Sequence, residues 1–435
     1  MYAPVRFDFI PYPLWRRQVR SARLRPVYRA AVNLLTQSSQ PLDGLMQPTA
    51  RTPALLADYL TRWRLLPDGM QAADVRDALA AGEVNADPVK SLDTLPPTAQ
   101  TTPPSAPLRL PAQWEPIETV LVSFPVLYPP LWATHAAMIK AICAVARVDV
   151  LIPQAAWAHP IRLILRETFG VNNWNNIHLI AAHVNDIWVR DYGPMVGLDE
   201  QGRQVAVDAR FAPLSATYPQ DADDSLPTRW AAARGMPVHA LPLFTEGGNL
   251  WSDGAGTLIM SDELVERHAE MGLTLAQVES AMHQYFAFDT LILTPHLWRE
   301  ETGHVDLVCK LANAETLLVG APTPFRNAER LRAAADQLRS VTNAAGSRYQ
   351  VIPLPMPQVY LNWGIYPVWR SYTNALTVNG RVLVPTFNIR EDETALRIYE
   401  QTMPAHAIVP IPCAAAANGG GAVHCLTKDI PAAQA

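Results

Sequence analysis

The chain has 435 residues, 49% hydrophobic and 17% charged, enough to bury a large core in one big domain or in two or three average ones. A net charge of −5 and a pI near 6.1 exclude the basic balance of a nucleic-acid binder. No apolar run reaches the roughly 18 residues of a transmembrane helix, and four cysteines without a CxxC pair make no disulfide framework, which points to a reducing compartment such as the cytoplasm.

The N-terminus lacks the apolar stretch of a secretory signal. It carries Arg16, Arg17, Arg20, Arg23, Arg25 and Arg29, with Asp8 the only acid before Asp43. Organelle targeting or anion binding is one reading; a solvated helix face is the plainer and preferred one. Residues 1–94 read as a helical and irregular extension, with helical spacing in Leu55 to Trp63 and Ala73 to Leu79. Residues 95–112, rich in Pro and Thr, read as a linker or a chain laid over a surface, and the boundary of the catalytic domain (113–435) is placed there.

From Trp114 strands and helices alternate. Thr119 to Phe124, Val148 to Ile152 and Ile177 to Ile180 read as strands, with a helical face at Met138, Ile139 and Ile142 and a short helix from Ile161 to Phe169. Helix-then-strand pairs recur at 275–286 with 290–293, 329–341 with 349–353 and 394–402 with 408–411. Ala375 to Val378 and Val382 to Val384 flank Asn379-Gly380, a hairpin dipeptide. The alternation argues for an α/β fold, and its recurrence for a repeated strand-and-helix unit.

Polar clusters punctuate these units. Asn185-Asp186-Ile187-Trp188-Val189-Arg190-Asp191-Tyr192-Gly193-Pro194 follows a strand and ends on Gly-Pro, as a strand-end loop would; taken alone it could equally be a surface loop with Asp–Arg pairing. Thr245-Glu246-Gly247-Gly248-Asn249 puts an acid on a turn after a strand. In Gly303-His304-Val305-Asp306 the His and Asp alternate, and on an extended segment they share a side. A carboxylate beside a histidine raises its pKa and suits it to proton transfer. Near the C-terminus Gly419-Gly420-Gly421 leads into His424-Cys425, a backbone able to approach a ligand closely; a turn beside a buried cysteine is the plainer reading.

A papain-like hydrolase would leave the surplus of acids unexplained, and the spacings match no known zinc motif, so no metal is expected. Attack on a guanidinium uses every cluster. That cation is planar, presents N–H donors in a fork to two carboxylates, and needs a thiolate nucleophile and a proton for the departing amine.

Five stretches, Asn185-Asp186-x-Trp188-x-Arg190-Asp191-x-Gly193-Pro194, Glu246-Gly247-Gly248-Asn249, Gly303-His304-Val305-Asp306, Tyr372-Thr373-Asn374 and Gly419-Gly420-Gly421-x-x-His424-Cys425-x-Thr427, resemble the agmatine deiminase and bacterial-type peptidyl-arginine deiminase family, in that family's order. The resemblance covers roughly residues 110–430 and implies a five-bladed, pentein-like α/β propeller with a central active site and no cofactor. It implies Cys425 as nucleophile, His304 as proton donor and then water activator, Asp191 and Asp306 as the guanidinium clamp, and Glu246 as support for His304. Trp188, Asp186, Asn374 and Arg190 fall on its substrate side. The expected reaction is hydrolytic deimination through a covalent thiouronium, with agmatine ahead of peptidyl or free arginine. The single Arg210 in Asp208 to Leu214 weakly disfavours a carboxylate-bearing substrate, whereas Thr245 to Asn249 and Lys310 look closer to the peptidyl branch. The rivals are an amidinotransferase and a catalytically silent propeller that binds a cationic partner. The expected partner is a small cationic guanidine, agmatine or an arginine side chain, with no nucleic acid and no membrane, on a chain that could form a homo-oligomer.

Overall fold

Hydrophobic runs broken by Gly, Pro and Asn fold here into short strands separated by helices. The computed structural model describes residues 89–126, 128–211, 220–300, 302–322, 327–362 and 366–434, with positions 57, 58, 60, 61, 71 and 73. The N-terminal arginines and most of the expected helical extension lie outside these residues. Within it, Ala57 and Leu60 are buried, and Leu60 joins the largest core cluster.

In chain order the strands are β1 (Lys90–Ser91), β2 (Ile117–Ser123), β3 (Arg147–Ile152), β4 (Ile177–Ala181), β5 (Met195–Leu198), β6 (Gln204–Arg210), β7 (Val238–Phe244), β8 (Trp251–Ser252), β9 (Thr257–Ser261) and β10 (Thr290–Thr294). They continue with β11 (Cys309–Asn313), β12 (Thr316–Gly320), β13 (Gln350–Leu354), β14 (Tyr360–Asn362), β15 (Tyr366–Val368), β16 (Leu376–Val378), β17 (Arg381–Thr386), β18 (Ala407–Pro412) and β19 (Thr427–Pro431).

One pattern repeats in five of the sheets: a first strand antiparallel to a second, and the second parallel to a third. It holds for β5-β6-β7, β8-β9-β10, β11-β12-β13 and β16-β17-β18. It holds again for β19-β2-β3, where the last strand of the chain pairs with the first long one. Parallel neighbours need a crossover, and a helix supplies it each time. These are α1 (Trp132–Ile142) before β3, α2 (Ala158–Glu167) before the added strand β4, and α3 (Leu226–Ala233) before β7. Then α4 (Glu263–Glu270) and α5 (Leu275–Met282) precede β10, α6 (Ala328–Ser340) precedes β13 and α7 (Glu391–Thr402) precedes β18.

The β16–β17 hairpin turns through Asn379 (φ 40°) and Gly380 (φ 79°), the left-handed pair that a two-residue turn of this twist requires. The first sheet is longer than expected because β1 adds in parallel to the edge of β4. Residues 95–112 run along the sheets rather than away from them. Gln100 bridges to His239, Arg109 to Leu198 and Leu108 to Phe286. Among the described residues no helix is long and apolar enough to cross a membrane.

Candidate active site

The five repeats share one further property. Just ahead of each first strand stands one of the polar clusters: Asp191 before β5, Glu246 before β8, His304 and Asp306 before β11, Asn374 before β16 and Cys425 before β19. All six side chains are buried, and they meet.

Cys425 sits at the end of the glycine run. A Cβ on Gly421 would lie 2.6 Å from Trp188 Cζ3 and 3.0 Å from Cys425 Sγ, so only glycine lets the indole and the thiol come this close. Asn374 fixes the loop. Its Oδ1 accepts from the backbone N–H of Ala422 (3.0 Å) and of Cys425 (3.2 Å), and its Nδ2 donates to Sγ at 3.1 Å. Sγ lies 3.6 Å from Asp306 Oδ2.

His304 is set by two carboxylates. Its Nε2 pairs with Glu246 Oε2 at 2.6 Å, and its Nδ1 lies 3.3 Å from Asp191 Oδ1. Glu246 Oε1 accepts from Arg267 Nη1 at 2.7 Å, so this carboxylate is anchored on both oxygens. A Cβ on Gly248 would lie 2.4 Å from His304 Nδ1 and 2.6 Å from Asp191 Oδ1, so this glycine lets His304 and Asp191 approach, while its neighbour Gly247 makes room for the Arg190 carbonyl and Lys428. Asn249 Oδ1 accepts from Ser261 N at 2.8 Å and Val305 N at 3.2 Å, tying the β8 and β11 loops together.

The expected extended segment at 304–306 is instead an extended His304 followed by a 3-10 turn over Val305–Leu307. Asp306 therefore turns away from His304 and towards the C-terminal loop, where Oδ2 accepts from His424 Nδ1 at 2.7 Å. Its backbone carbonyl accepts from Thr373 Oγ1 at 2.7 Å, and its Oδ1, also buried, has no hydrogen-bond partner among the described residues.

Two of the substrate-side candidates stand differently. Arg190 gives Nη2 to Asp429 Oδ1 at 2.5 Å and Nε to the His424 carbonyl at 3.2 Å, which commits its guanidinium to β19 and the backbone behind Cys425. Asp186 accepts from Ile187 N at 2.7 Å and lines a small pocket with Ser123, Phe124 and Tyr128. Among the described residues neither side chain makes a hydrogen bond to the side chains of Cys425, His304 or Asp306, although the Arg190 backbone N–H donates to the Cys425 carbonyl at 3.2 Å. The reason lies in local structure: the expected loop is a helical turn, Val189–Tyr192, which sends Arg190 and Asp191 to different sides.

The electrostatics follow from burial and neighbours. Burial pushes the Cys425 thiol well above its ordinary pKa, Asp306 and Asp191 push it further, and the Asn374 amide opposes them. Burial works against a charged His304, but Asp191 and the hydrogen-bonded Glu246 outweigh it and raise its pKa to about 9. Burial lifts the Asp306 carboxyl to about 7, against the pull of His304. Near neutrality Cys425 is therefore a thiol and His304 an imidazolium, with the Asp306 carboxyl close to its midpoint.

Residues 109–431 match the Porphyromonas-type peptidyl-arginine deiminase family. The chain belongs to that family. Among curated relatives it is 30% identical over 371 residues to the agmatine deiminase of Pseudomonas syringae pv. tomato, covering 77% of this chain and 98% of the relative. It is 30% identical over 373 residues to the agmatine deiminase of Ectopseudomonas mendocina, covering 78% and 99%. Among solved structures, an agmatine deiminase of Enterococcus faecalis superposes with a TM-score of 0.67 at 21% identity, covering 76% of this chain and 99% of that one. A substrate-bound agmatine deiminase variant from C. jejuni superposes at 0.65 with 16% identity, covering 74% and 95%. The fold is thus the pentein-like α/β fold of these deiminases.

Sequence reasoning passed over several residues of this deiminase-family site. His424 stands in the cysteine motif, but its partner Asp306 is 118 positions upstream, so no spacing reveals the pair. Arg267 lies in an ordinary amphipathic helix and carried no signal. For a metal, Asp262, Glu266 and His296 bring ligand atoms within 4.8 Å of one another among the described residues, yet Asp262 Oδ1 already takes the His296 ring nitrogen at 2.6 Å.

Proposed function

We propose that the chain is a guanidine iminohydrolase that converts agmatine and water to N-carbamoylputrescine and ammonia. The observation that carries this reading is the thiol of Cys425 held 3.6 Å from a buried carboxylate whose second oxygen has no hydrogen-bond partner among the described residues, across the same centre as a charged His304. A planar cation with N–H donors fits that vacancy of partners better than any neutral amide. The relatives' names and near-complete coverage favour agmatine over arginine. So does Arg210, the single arginine of the 208–214 stretch, whose guanidinium lies over the Phe244 ring at 4.8 Å.

In this reading Asp191 and Asp306 bind the guanidinium nitrogens, with Trp188 against the substrate beside Gly421. As the cation enters, the thiol proton leaves to solvent, because the charge that opposed the thiolate is now neutralised. Cys425 attacks the guanidinium carbon. His304 gives its proton to one amino group, the C–N bond breaks and ammonia departs, leaving a thiouronium on sulfur. Neutral His304 then takes a proton from water, hydroxide adds to the same carbon, and the C–S bond breaks as the hydroxyl proton passes to the departing sulfur, releasing the urea product and restoring the thiol. Glu246 keeps His304 oriented and charged. Asn374 donates to sulfur throughout.

We also propose that the five repeats are the blades of a five-bladed propeller, since the entry of each first strand supplies one part of a single centre. The catalytic unit is taken to begin with the segment around β1 rather than at residue 113, and the reaction is placed in the cytoplasm, where four unbridged cysteines stay reduced. The test is ureido-product formation with agmatine, free arginine and a peptide ending in arginine, with ammonia measured in the absence of any acceptor amine. Agmatine turnover that disappears in Cys425→Ala supports the proposal. Preference for the peptide moves the chain to the protein-modifying branch, a requirement for an acceptor amine makes it an amidinotransferase, and no turnover of any of the three contradicts the reading.

A further inference from the structure

We infer that His424 is a positioning residue: its Nδ1–H holds the Asp306 carboxylate ionised and turned so that the second oxygen, Oδ1, faces the substrate. The inference deepens the proposed function and rests on Asp306 being half of the guanidinium clamp.

The contact is short and enclosed. Nδ1 lies 2.7 Å from Asp306 Oδ2, with the two side chains only 1% and 0% exposed. The His424 backbone is fixed at both ends, its N–H donating to the Asn374 carbonyl at 3.1 Å and its carbonyl accepting from Arg190 Nε at 3.2 Å. Its ring packs on Trp251, 4.6 Å between centroids and tilted 31°. This ring has little freedom to turn its donor elsewhere.

The charged groups around it decide its state. Arg190 and His304 face it as cations, Lys310 and Lys428 as amines that burial brings down to about 7, Asp306 as its carboxylate partner, and Asp429 lies beyond Arg190, paired with it. Burial first, and then the four basic groups, keep the imidazole neutral, with its pKa well below the ordinary value. A neutral imidazole has one N–H, and the geometry assigns it to Asp306; Nε2 is buried with no partner among the described residues. His424 therefore serves as a fixed single donor, unlike His304, which carries a proton to give. Arg190 gains a role from the same arrangement: it supports the His424 carbonyl and adds to the field that keeps the ring neutral. Without the His424 donor, a carboxyl that burial already lifts to about 7 would take up a proton more readily and lose its grip on a cation.

Two amide replacements separate positioning from mere packing. In asparagine the side-chain nitrogen is bonded to Cγ, as Nδ1 is in histidine; in glutamine it stands one bond further out. In the full chain, H424N should keep kcat/KM for agmatine within about tenfold of wild type, with the acid limb of the pH profile unmoved. H424Q should lose about ten- to a hundredfold, the scale of a hydrogen bond to a charged group. Its loss should appear chiefly in KM, and in weaker agmatine binding when combined with Cys425→Ala, with the acid limb at higher pH. Equal behaviour of the two variants, with unfolding midpoints matching wild type, would overturn the inference and leave the proposed function standing. A wild type that does not turn over agmatine would remove both.

Discussion

Replacing Gly248 by alanine tests the electrostatics of the site without touching a side chain that reacts. The new methyl would lie 2.4 Å from His304 Nδ1 and 2.6 Å from Asp191 Oδ1, where ordinary contact begins at 3.4 Å, so each atom must retreat by roughly 0.8–1 Å. The residue has no positive φ, so alanine costs the backbone nothing there. The His304–Asp191 separation then grows from 3.3 Å to about 5 Å. With an effective dielectric constant near 20, the attraction falls from about 5 to about 3.3 kcal/mol, a loss of about 1.7 kcal/mol, or roughly one pKa unit. His304 keeps Glu246, so its raised pKa falls only part of the way, from about 9 towards about 8. The assay is kcat/KM for agmatine against pH. A folded G248A whose alkaline limb stays where wild type has it would refute the argument that Asp191 holds the proton on His304.

Other consequences can be measured alongside. Wild-type kcat/KM should be bell-shaped. A raised His304 pKa means the donor is charged below about 9 and lost as pH rises through it, while Asp306 is the ionised clamp above about 7 and is lost as pH falls through it; a profile flat from 6 to 10 on this scale contradicts both assignments. Asn374→Ala removes the N–H donor to sulfur and the acceptor for two backbone amides, so kcat should drop about 10²- to 10³-fold at little change in KM. Arg190→Met takes from the partly buried Asp429 its ionic partner, leaving it the Gln113 amide, and should cost about 2 kcal/mol in denaturant unfolding. Its KM for agmatine should stay within about threefold of wild type, whereas a residue that binds substrate would show the larger effect there.

The repeating elements were legible because each strand is an apolar run closed by a turn residue and each helix has its own amphipathic face. Asn379-Gly380 announced its hairpin through backbone conformation alone. The strand β1 was not legible: Lys90–Ser91 has no strand pattern and exists because β4 offers a free edge. The helical turn at Val189–Tyr192 was hidden for a related reason, since four residues show no period, and with it the separation of Arg190 from Asp191. At the site, Asp191, Glu246, His304, Asp306 and Cys425 were visible in polar clusters near glycines, because close approach needs glycine and the glycines mark the places; Asn374, with no glycine beside it, was reached only through the family resemblance. Which residue pairs with which was not visible. Glu246 with Arg267 is a contact within one repeat, from the entry of β8 to α4, and Asp306 with His424 is a contact between repeats; in both cases only the folded packing brings the pair together.

The central claim is that Cys425 carries the substrate carbon during turnover. Mixing the enzyme with agmatine, quenching with acid on the timescale of one turnover and measuring the mass of the intact chain and of the peptide around Cys425 tests it. The account predicts a transient species heavier by agmatine less ammonia, on Cys425 and absent from C425A. Full turnover with no adduct at any quench time, or an adduct on another residue, would contradict it.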